Sequence, residues 1–188
     1  MKIIITIGFL FSFLIGRAQT SDDRKSTNSN ERFVATPPQS ISVTAGLAAT
    51  LHNVMTITNP IGSGCNIHID HFKFFTSGPN LMIPTSATIF INPTPVTANY
   101  ANKFNGKIGS NITDNTTIVG YNLSTAPLNG TLFSPYEIPQ VSGEKFGDDG
   151  FLEIMEGQSI GIDLSKSVGL GVAMSSGILM VYYHKIPN

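Results

Sequence analysis

The sequence lacks tryptophan, contains a single cysteine and is poor in charge, with charged side chains on only 12% of its 188 residues. One cysteine, Cys65, cannot form an internal disulfide or supply a cysteine-based zinc site. Eleven basic residues against twelve acidic ones leave a net charge of −1, which excludes a long-range electrostatic attraction to nucleic acid. The chain is nevertheless 41% hydrophobic, a share typical of a folded domain rather than of a disordered polyelectrolyte.

Two common catalytic and cofactor-binding motifs are also missing. The chain has no glycine-rich phosphate loop and no His-Glu-x-x-His. We therefore predict a protein that is not an enzyme and needs no cofactor. The alternative enzyme is a glycosidase that uses Glu144 and Glu153 as its carboxylate pair. It is disfavoured because the sequence has no tryptophan and few tyrosines to stack on sugar rings.

The amino terminus has the features of a secretory signal peptide. Lys2 supplies a basic start, residues 3–16 form an apolar run, and Gly16 and Ala18 are the small residues before a cleavage point. A membrane span needs about 20 apolar residues, so this run is too short for one. We expect a signal peptide at residues 1–18, a secreted or cell-surface protein, and no membrane span in the mature chain.

Residues 19–40 are predicted to be a disordered polar leader. The stretch from residue 20 to residue 32 contains no apolar side chain and cannot contribute to a core. Pro37 and Pro38 near its end favour extended chain. Residues 41–188 remain, a length that suits a single domain.

From residue 41 onward the pattern predicts an all-β fold. Short alternations of apolar and polar residues end at Gly, Pro, Asn or Ser, and no long stretch carries a helical apolar stripe. We predict a single β-sandwich, of jelly-roll type, with a barrel as the alternative. Residues 92–110 are expected to form a surface loop. The predicted strands are 51–58, 66–75, 87–91, 117–123, 151–155, 159–164, 168–174 and 177–184. The turn residues at 59–64 predict that the first two of these strands form a hairpin.

The strand predicted at residues 66–75 changes phase along its length. In a regular strand Ile67 and Ile69 lie on one face. Phe72 and Phe74 then lie on the opposite face. A β-bulge near Asp70-His71 would place both apolar pairs inward. We therefore predict a bulge at that point.

The last strands combine a bulky face with an almost bare one. Gly169, Gly171 and Ala173 alternate with larger apolar residues, and Gly161 continues the pattern in the preceding strand. Repeated glycine in a strand indicates that something approaches the backbone closely. We interpret the bare face as the subunit interface of a homo-oligomer. An outer sheet face that merely carries small residues is the alternative.

Two sets of residues are candidates for metal binding. Asp148 and Asp149 offer carboxylates suited to calcium, although they lack the spacing of an EF-hand loop. Turn-forming aspartates on a solvated loop are the alternative. His52, His68 and Asp70 would form a three-ligand set if a hairpin placed His52 across from the other two. Ordinary surface histidines are the simpler interpretation.

Residues 51–69 resemble a hairpin found in β-sandwich structural proteins of bacteriophage particles, in which an Asn-Pro-x-Gly-Ser-Gly turn joins two apolar strands. Residues 155–162 and the closing Val181-Tyr182-Tyr183 are similar to the last strands of such jelly rolls. The resemblance implies a non-catalytic, oligomeric building block and a virion as one setting. The secretory leader departs from it, because most phage particle proteins assemble in the cytoplasm.

Together these features predict a non-catalytic structural or assembly protein, secreted or on a particle surface, that oligomerises through a Gly/Ala-rich sheet face. The alternative is an extracellular carbohydrate- or receptor-binding module, calcium-dependent through Asp148 and Asp149. A nucleic-acid partner is not expected from the charge balance.

Overall fold

The computed structural model describes residues 32–38, 40–45, 52–77, 85–107, 109–124, 126–138, 143–146, 152–165 and 173–188. Among these residues there are thirteen strands and no helix, and every strand pair is antiparallel. The strands are β1 (Arg32–Thr36), β2 (Ile41–Ala45), β3 (His52–Thr58), β4 (Cys65–Ser77), β5 (Thr85–Ile91), β6 (Asn99–Tyr100), β7 (Asn102–Asn105), β8 (Ile118–Ser124), β9 (Thr131–Ile138), β10 (Gly143–Phe146), β11 (Leu152–Ile154), β12 (Ser159–Ser165) and β13 (Ala173–Pro187).

The strands form two sheets packed face to face. Sheet A has seven strands, with the order β10-β4-β13-β1-β7, while β11 pairs with β4 and β2 pairs with β13. Sheet B has six strands in the order β6-β8-β3-β12-β5-β9. Buried apolar side chains from the inner faces of both sheets make one core. The predicted all-β sandwich is confirmed, and its jelly-roll type stays a prediction.

β13, the longest of the described strands, lies at the centre of sheet A. β4 pairs with one edge of it from Ser176 to Pro187, and β1 and β2 share the other edge. Pro37 and Pro38 lie between β1 and β2, where they cannot donate an N–H to β13. The hydroxyl of Thr36 donates to the Leu179 carbonyl at 2.9 Å and so continues the contact with β13 beside the prolines.

The predicted bulge is confirmed in β4. The pairing of β4 with β13 shifts by one residue at Asp70, between His71, which lies opposite Tyr182, and Ile69, which lies opposite Tyr183. All four apolar side chains that posed the conflict of phase are buried. Asp70 and His71 therefore both lie between the inward-facing residues Ile69 and Phe72.

The predicted hairpin between β3 and β4 is wrong. β3 pairs with β8 and β12 in sheet B, whereas β4 pairs with β13, β10 and β11 in sheet A. The segment Asn59–Gly64 therefore crosses from one sheet to the other. Both strands have an apolar inner face, and a sandwich buries two such faces against each other. Apolar alternation along the chain does not specify which strand lies beside which.

The predicted domain boundaries also need correction. β1 lies inside the stretch 19–40 that was expected to be disordered, and its Phe33 and Ala35 are buried in the core. This alternation spans only five residues directly after a polar stretch, so it is a weak signal on its own. β6 and β7 likewise lie within the predicted loop 92–110. The predicted signal peptide lies outside the described residues.

Two connections cross the outer face of sheet B, and we call them the strap: residues 92–97, after β5, and residues 126–130, before β9. Asn129 joins them, because its side-chain oxygen accepts the Thr94 N–H at 2.7 Å and its amide donates to the Thr94 hydroxyl at 2.8 Å. The Val96 N–H donates to the hydroxyl of Thr56 in β3 at 2.8 Å. The strap is thus hydrogen-bonded both to itself and to the sheet beneath it.

Glycine in two strands makes room for the strap. A Cβ atom at Gly161 of β12 would lie 2.7 Å from Leu128 Cδ1 and 2.8 Å from Pro93 Cγ. A Cβ atom at Gly120 of β8 would lie 1.8 Å from the Val96 carbonyl oxygen. Neither position tolerates a side chain without movement of the strap. The close approach inferred from the glycine pattern is therefore made, at Gly161, by the protein's own chain.

Alanine at Gly161 or Gly120 should destabilise the fold, and the loss should be larger at Gly120. Overpacking costs about 1–3 kcal/mol, and we expect Gly161→Ala in that range because the ends of two side chains can shift. Gly120→Ala should cost at least as much, since a backbone carbonyl must move. Urea unfolding measures both free energies. Unchanged stability in both variants would contradict this description of the strap.

Candidate functional site on the outer face of sheet A

The outer face of sheet A carries exposed apolar side chains in register. Ile178 lies opposite Phe75, and Val34 lies between Tyr182 and Phe104 on the neighbouring strands. Phe75 and Ile178 are each 40% exposed and Phe104 is 55% exposed. We call this group the apolar surface: Val34, Phe75, Phe104, Ile178, Met180 and Tyr182.

Contacts between neighbouring side chains order the apolar surface. The ring of His71 stacks on Tyr182, with centroids 4.4 Å apart and planes 18° apart. Lys73 Nζ lies 4.5 Å from the centre of the Phe75 ring, a cation–π contact. The Tyr182 hydroxyl donates to Met180 Sδ at 3.4 Å. These large side chains are therefore held in place before any partner arrives.

Next to the apolar surface, four polar residues lie opposite one another on adjacent strands. Arg32 of β1 faces His184 of β13, His184 faces His68 of β4, and His68 faces Glu153 of β11. We call these four residues the histidine row. The rings of His68 and His184 have centroids 5.2 Å apart and planes 36° apart. The row begins with a cation and ends with an anion.

The bulge adds a second carboxylate to the histidine row. Nδ1 of His184 donates to Asp70 Oδ1 at 2.8 Å, and Arg32 Nε forms an ion pair with Asp70 Oδ2 at 2.9 Å. At the other end, Glu153 Oε1 lies 3.3 Å from His68 Nε2. Each imidazole therefore has a carboxylate beside one of its two ring nitrogens.

Asp70 is held in its ionised form by these neighbours. Burial raises the pKa of the Asp70 carboxyl. The hydrogen bond from His184 and the charges of Arg32 and His184 together lower the pKa by more than burial raises it. The net result is a pKa below the usual range for aspartate. The carboxylate is consequently a fixed negative charge at neutral pH.

A second pair of histidine and aspartate lies in sheet B. Nδ1 of His52 is 2.8 Å from Asp163 Oδ1 and 3.0 Å from Oδ2, and Oδ2 also accepts the N–H of Leu128 in the strap at 3.1 Å. Burial raises the pKa of Asp163, and the hydrogen bond and charge of His52 only partly offset this. Asp163 thus ties β12 to β3 and to the strap, which is a structural role.

A third buried carboxylate, Asp114, anchors the connection between β7 and β8. It accepts hydrogen bonds from the Tyr183 hydroxyl at 2.6 Å, the Thr117 N–H at 3.1 Å and Lys185 Nζ at 3.2 Å. Burial raises the pKa of Asp114, but the hydrogen bonds of Thr117 and Tyr183 and the charge of Lys103 bring it far below its usual range. Burial, together with the negative charge of Asp114, raises the pKa of Tyr183. These partners fully engage the carboxylate within the fold.

The predicted metal ligands are not brought together. His52 lies in sheet B, paired with Asp163, so the proposed set of His52, His68 and Asp70 is wrong; the reason is that β3 and β4 belong to different sheets. Within the described residues, no three His, Cys, Asp or Glu side chains are arranged around one metal position. Asp148 and Asp149 lie outside the described residues.

The other predicted site residues have mixed outcomes. Gly161 is covered by the strap, so its assignment to a subunit interface needs correction: its own chain closes over it. Gly169 and Gly171 lie outside the described residues, and Ala173 is described by its backbone, which pairs with Ala45. Of the pair suggested for a glycosidase, Glu153 belongs to the histidine row. Glu144 is in β10, where its backbone pairs with Phe74.

Sequence reasoning missed Arg32 and the role of His184. Arg32 was assigned to the disordered leader, although the alternation in β1 places it outward beside the buried Phe33. Ile178, Met180, Tyr182 and His184 are spaced two residues apart. Side chains at that spacing lie on the same face of a strand, so the sequence could have placed His184 on the face of the other three. Its alignment with His68 depends on the strand register, which the sequence alone does not specify.

No protein-family model matches the chain, and no curated protein is significantly similar to it. No helix in the described ranges has the length and apolar character needed to cross a membrane. A function for this chain therefore has to be argued from its own geometry.

The unfolding free energy should decrease at acidic pH, partly through Asp70. The pKa of Asp70 is lower in the folded than in the unfolded state, so its stabilising contribution is present above the unfolded pKa and is lost as pH falls through the folded pKa. Asp70→Asn should therefore flatten the pH dependence below about pH 4. Urea unfolding at a series of pH values measures the slope.

Asp163→Asn is the matched control for this measurement. The folded pKa of Asp163 is raised, so this carboxyl binds more protons in the folded state and its contribution has the opposite sign. Its replacement should leave the acid-induced loss of stability unchanged or make it steeper. A slope in Asp70→Asn equal to that of the parent protein would contradict our description of the histidine row.

Proposed function

We propose that the protein is a non-catalytic structural or assembly protein whose outer face of sheet A binds a second copy of the chain. The observation that supports this most is the contrast between the two outer faces of the sandwich. The strap covers sheet B over Gly120 and Gly161, and the exposed large apolar side chains of sheet B lie on β6, β8 and β9, away from its central strands β3 and β12. The apolar surface of sheet A instead extends across β4, β13 and β1, including the central strand β13. Contiguous exposed apolar side chains next to polar ones are typical of interaction sites.

The order of charges in the histidine row favours a second copy as the partner. A two-fold axis parallel to the strands, between β4 and β13, would place Arg32 of one copy opposite Glu153 of the other at both ends of the row. The same axis would place Ile178 of one copy against Phe75 of the other. A face that is complementary to itself in this way suits the isologous interface of a two-fold dimer.

The hydrogen bonds made by two buried carboxylates, Asp163 and Asp114, support a non-catalytic role. Asp163 is bound to His52 and to the strap, and Asp114 is bound to Tyr183 and Lys185. These contacts join separate elements of the fold and give both carboxylates a structural use. If the predicted signal peptide is cleaved, the assembly would form outside the cytoplasm, at a cell or particle surface.

Phe75→Ser should weaken self-association, while Phe133→Ser should not. The two side chains are similarly exposed, at 40% and 42%, but Phe133 belongs to β9 of sheet B. Burial of a phenylalanine side chain contributes about 1.5–3 kcal/mol, so loss of Phe75 should raise the dimer Kd by about tenfold or more. Sedimentation velocity over a range of concentrations measures the Kd of the parent and of both variants.

Two outcomes would contradict the proposal. One is a parent protein that stays monomeric up to high micromolar concentration. The other is a dimer that Phe133→Ser weakens as much as Phe75→Ser does, which would place the contact away from the outer face of sheet A.

A further inference from the structure

His68 and His184 are placed so that both imidazoles can reach one ion. They lie directly opposite each other on β4 and β13, and their side chains are partly exposed on the same face of sheet A. Directly opposed residues in an antiparallel pair have Cβ atoms about 4.5–5.5 Å apart. Small side-chain rotations would bring one nitrogen of each ring to a single ion, since zinc–imidazole bonds are about 2.0–2.1 Å long.

The carboxylates around the pair have the positions found in many metal sites. A metal-binding histidine usually donates its second ring N–H to a carboxylate, which fixes the orientation of the ring. Asp70 accepts from His184 Nδ1, and Glu153 lies beside His68 Nε2. With those two nitrogens beside carboxylates, His184 Nε2 and His68 Nδ1 are the ring nitrogens left to bind an ion.

The charge around the pair also favours a cation. Two carboxylates, Asp70 and Glu153, accompany one guanidinium, that of Arg32, so the cluster is negative when both imidazoles are neutral. Ligands of this type select among metals. Imidazole nitrogen suits zinc, copper and nickel, whereas calcium and magnesium require oxygen ligands.

We propose that His68 and His184 bind a divalent transition-metal ion, with Asp70 and Glu153 as the residues that orient them. The two imidazoles are the protein ligands, and water fills the remaining positions. Both imidazoles come from one chain, and the assembly proposed above would bury the histidine row in its interface. The site is also distinct from the three-ligand set that included His52, which the fold separates.

Isothermal titration of the mature, untagged chain with Zn²⁺ at neutral pH tests the site. The parent should bind one ion per chain. His68→Gln and His184→Gln should each raise the Kd at least about tenfold, and Asp70→Asn should raise it about tenfold through loss of orientation. The matched control is His52→Gln, a histidine of β3 in sheet B, which should leave the Kd within about twofold.

Electron paramagnetic resonance of bound Cu²⁺ provides a readout on the parent protein that does not depend on how a variant folds. The spectrum should show nitrogen couplings from two imidazoles. Couplings from one nitrogen or none, absence of saturable Zn²⁺ binding, or an equal Kd in the parent and in both His68→Gln and His184→Gln would overturn the proposal.

Discussion

The pairing of β4 with β13, interrupted by one bulge, is the interaction on which the rest of the structure depends. The two strands are the longest of the described strands and run side by side from Ser176 to Pro187 of β13. The extra residue, Asp70, lets the two halves of β4 both turn apolar side chains into the core. It also delivers a carboxylate to Arg32 and His184 on the opposite face. One local irregularity thus serves the core and the candidate site together.

The two outer faces of the sandwich differ for a reason that begins in the sequence. Glycine at positions 120 and 161 leaves room for the strap, which is hydrogen-bonded to Thr56 and covers the centre of sheet B. The outer face of sheet A instead carries large aromatic and aliphatic side chains, ordered by contacts such as the stacking of His71 on Tyr182. Burial of such an apolar face against another molecule lowers the free energy of the complex. This asymmetry is the physical basis for the proposal that sheet A binds a second copy.

Much of the fold could be predicted from local pattern, and most of the site could not. Alternation and turn residues identify the all-β class, and the phase conflict within β4 predicts the bulge at Asp70 correctly. The hairpin of β3 with β4 was wrong because alternation describes one strand and not its neighbours. Gly161 was correctly interpreted as a point of close approach, but the approaching group is its own strap. The alignment of Arg32, His184 and His68 arises from register between segments far apart in the chain, which no local pattern encodes.

In the proposed assembly, the outer face of sheet A becomes buried against a second copy. Hydroxyl-radical footprinting at rising protein concentration tests this burial most directly, because it reports the solvent exposure of individual side chains. We predict that oxidation of Phe75, Phe104 and Met180 decreases as association proceeds, while oxidation of Leu132 and Phe133 in sheet B stays constant. Constant oxidation of the first three, or protection confined to sheet B, would contradict the account.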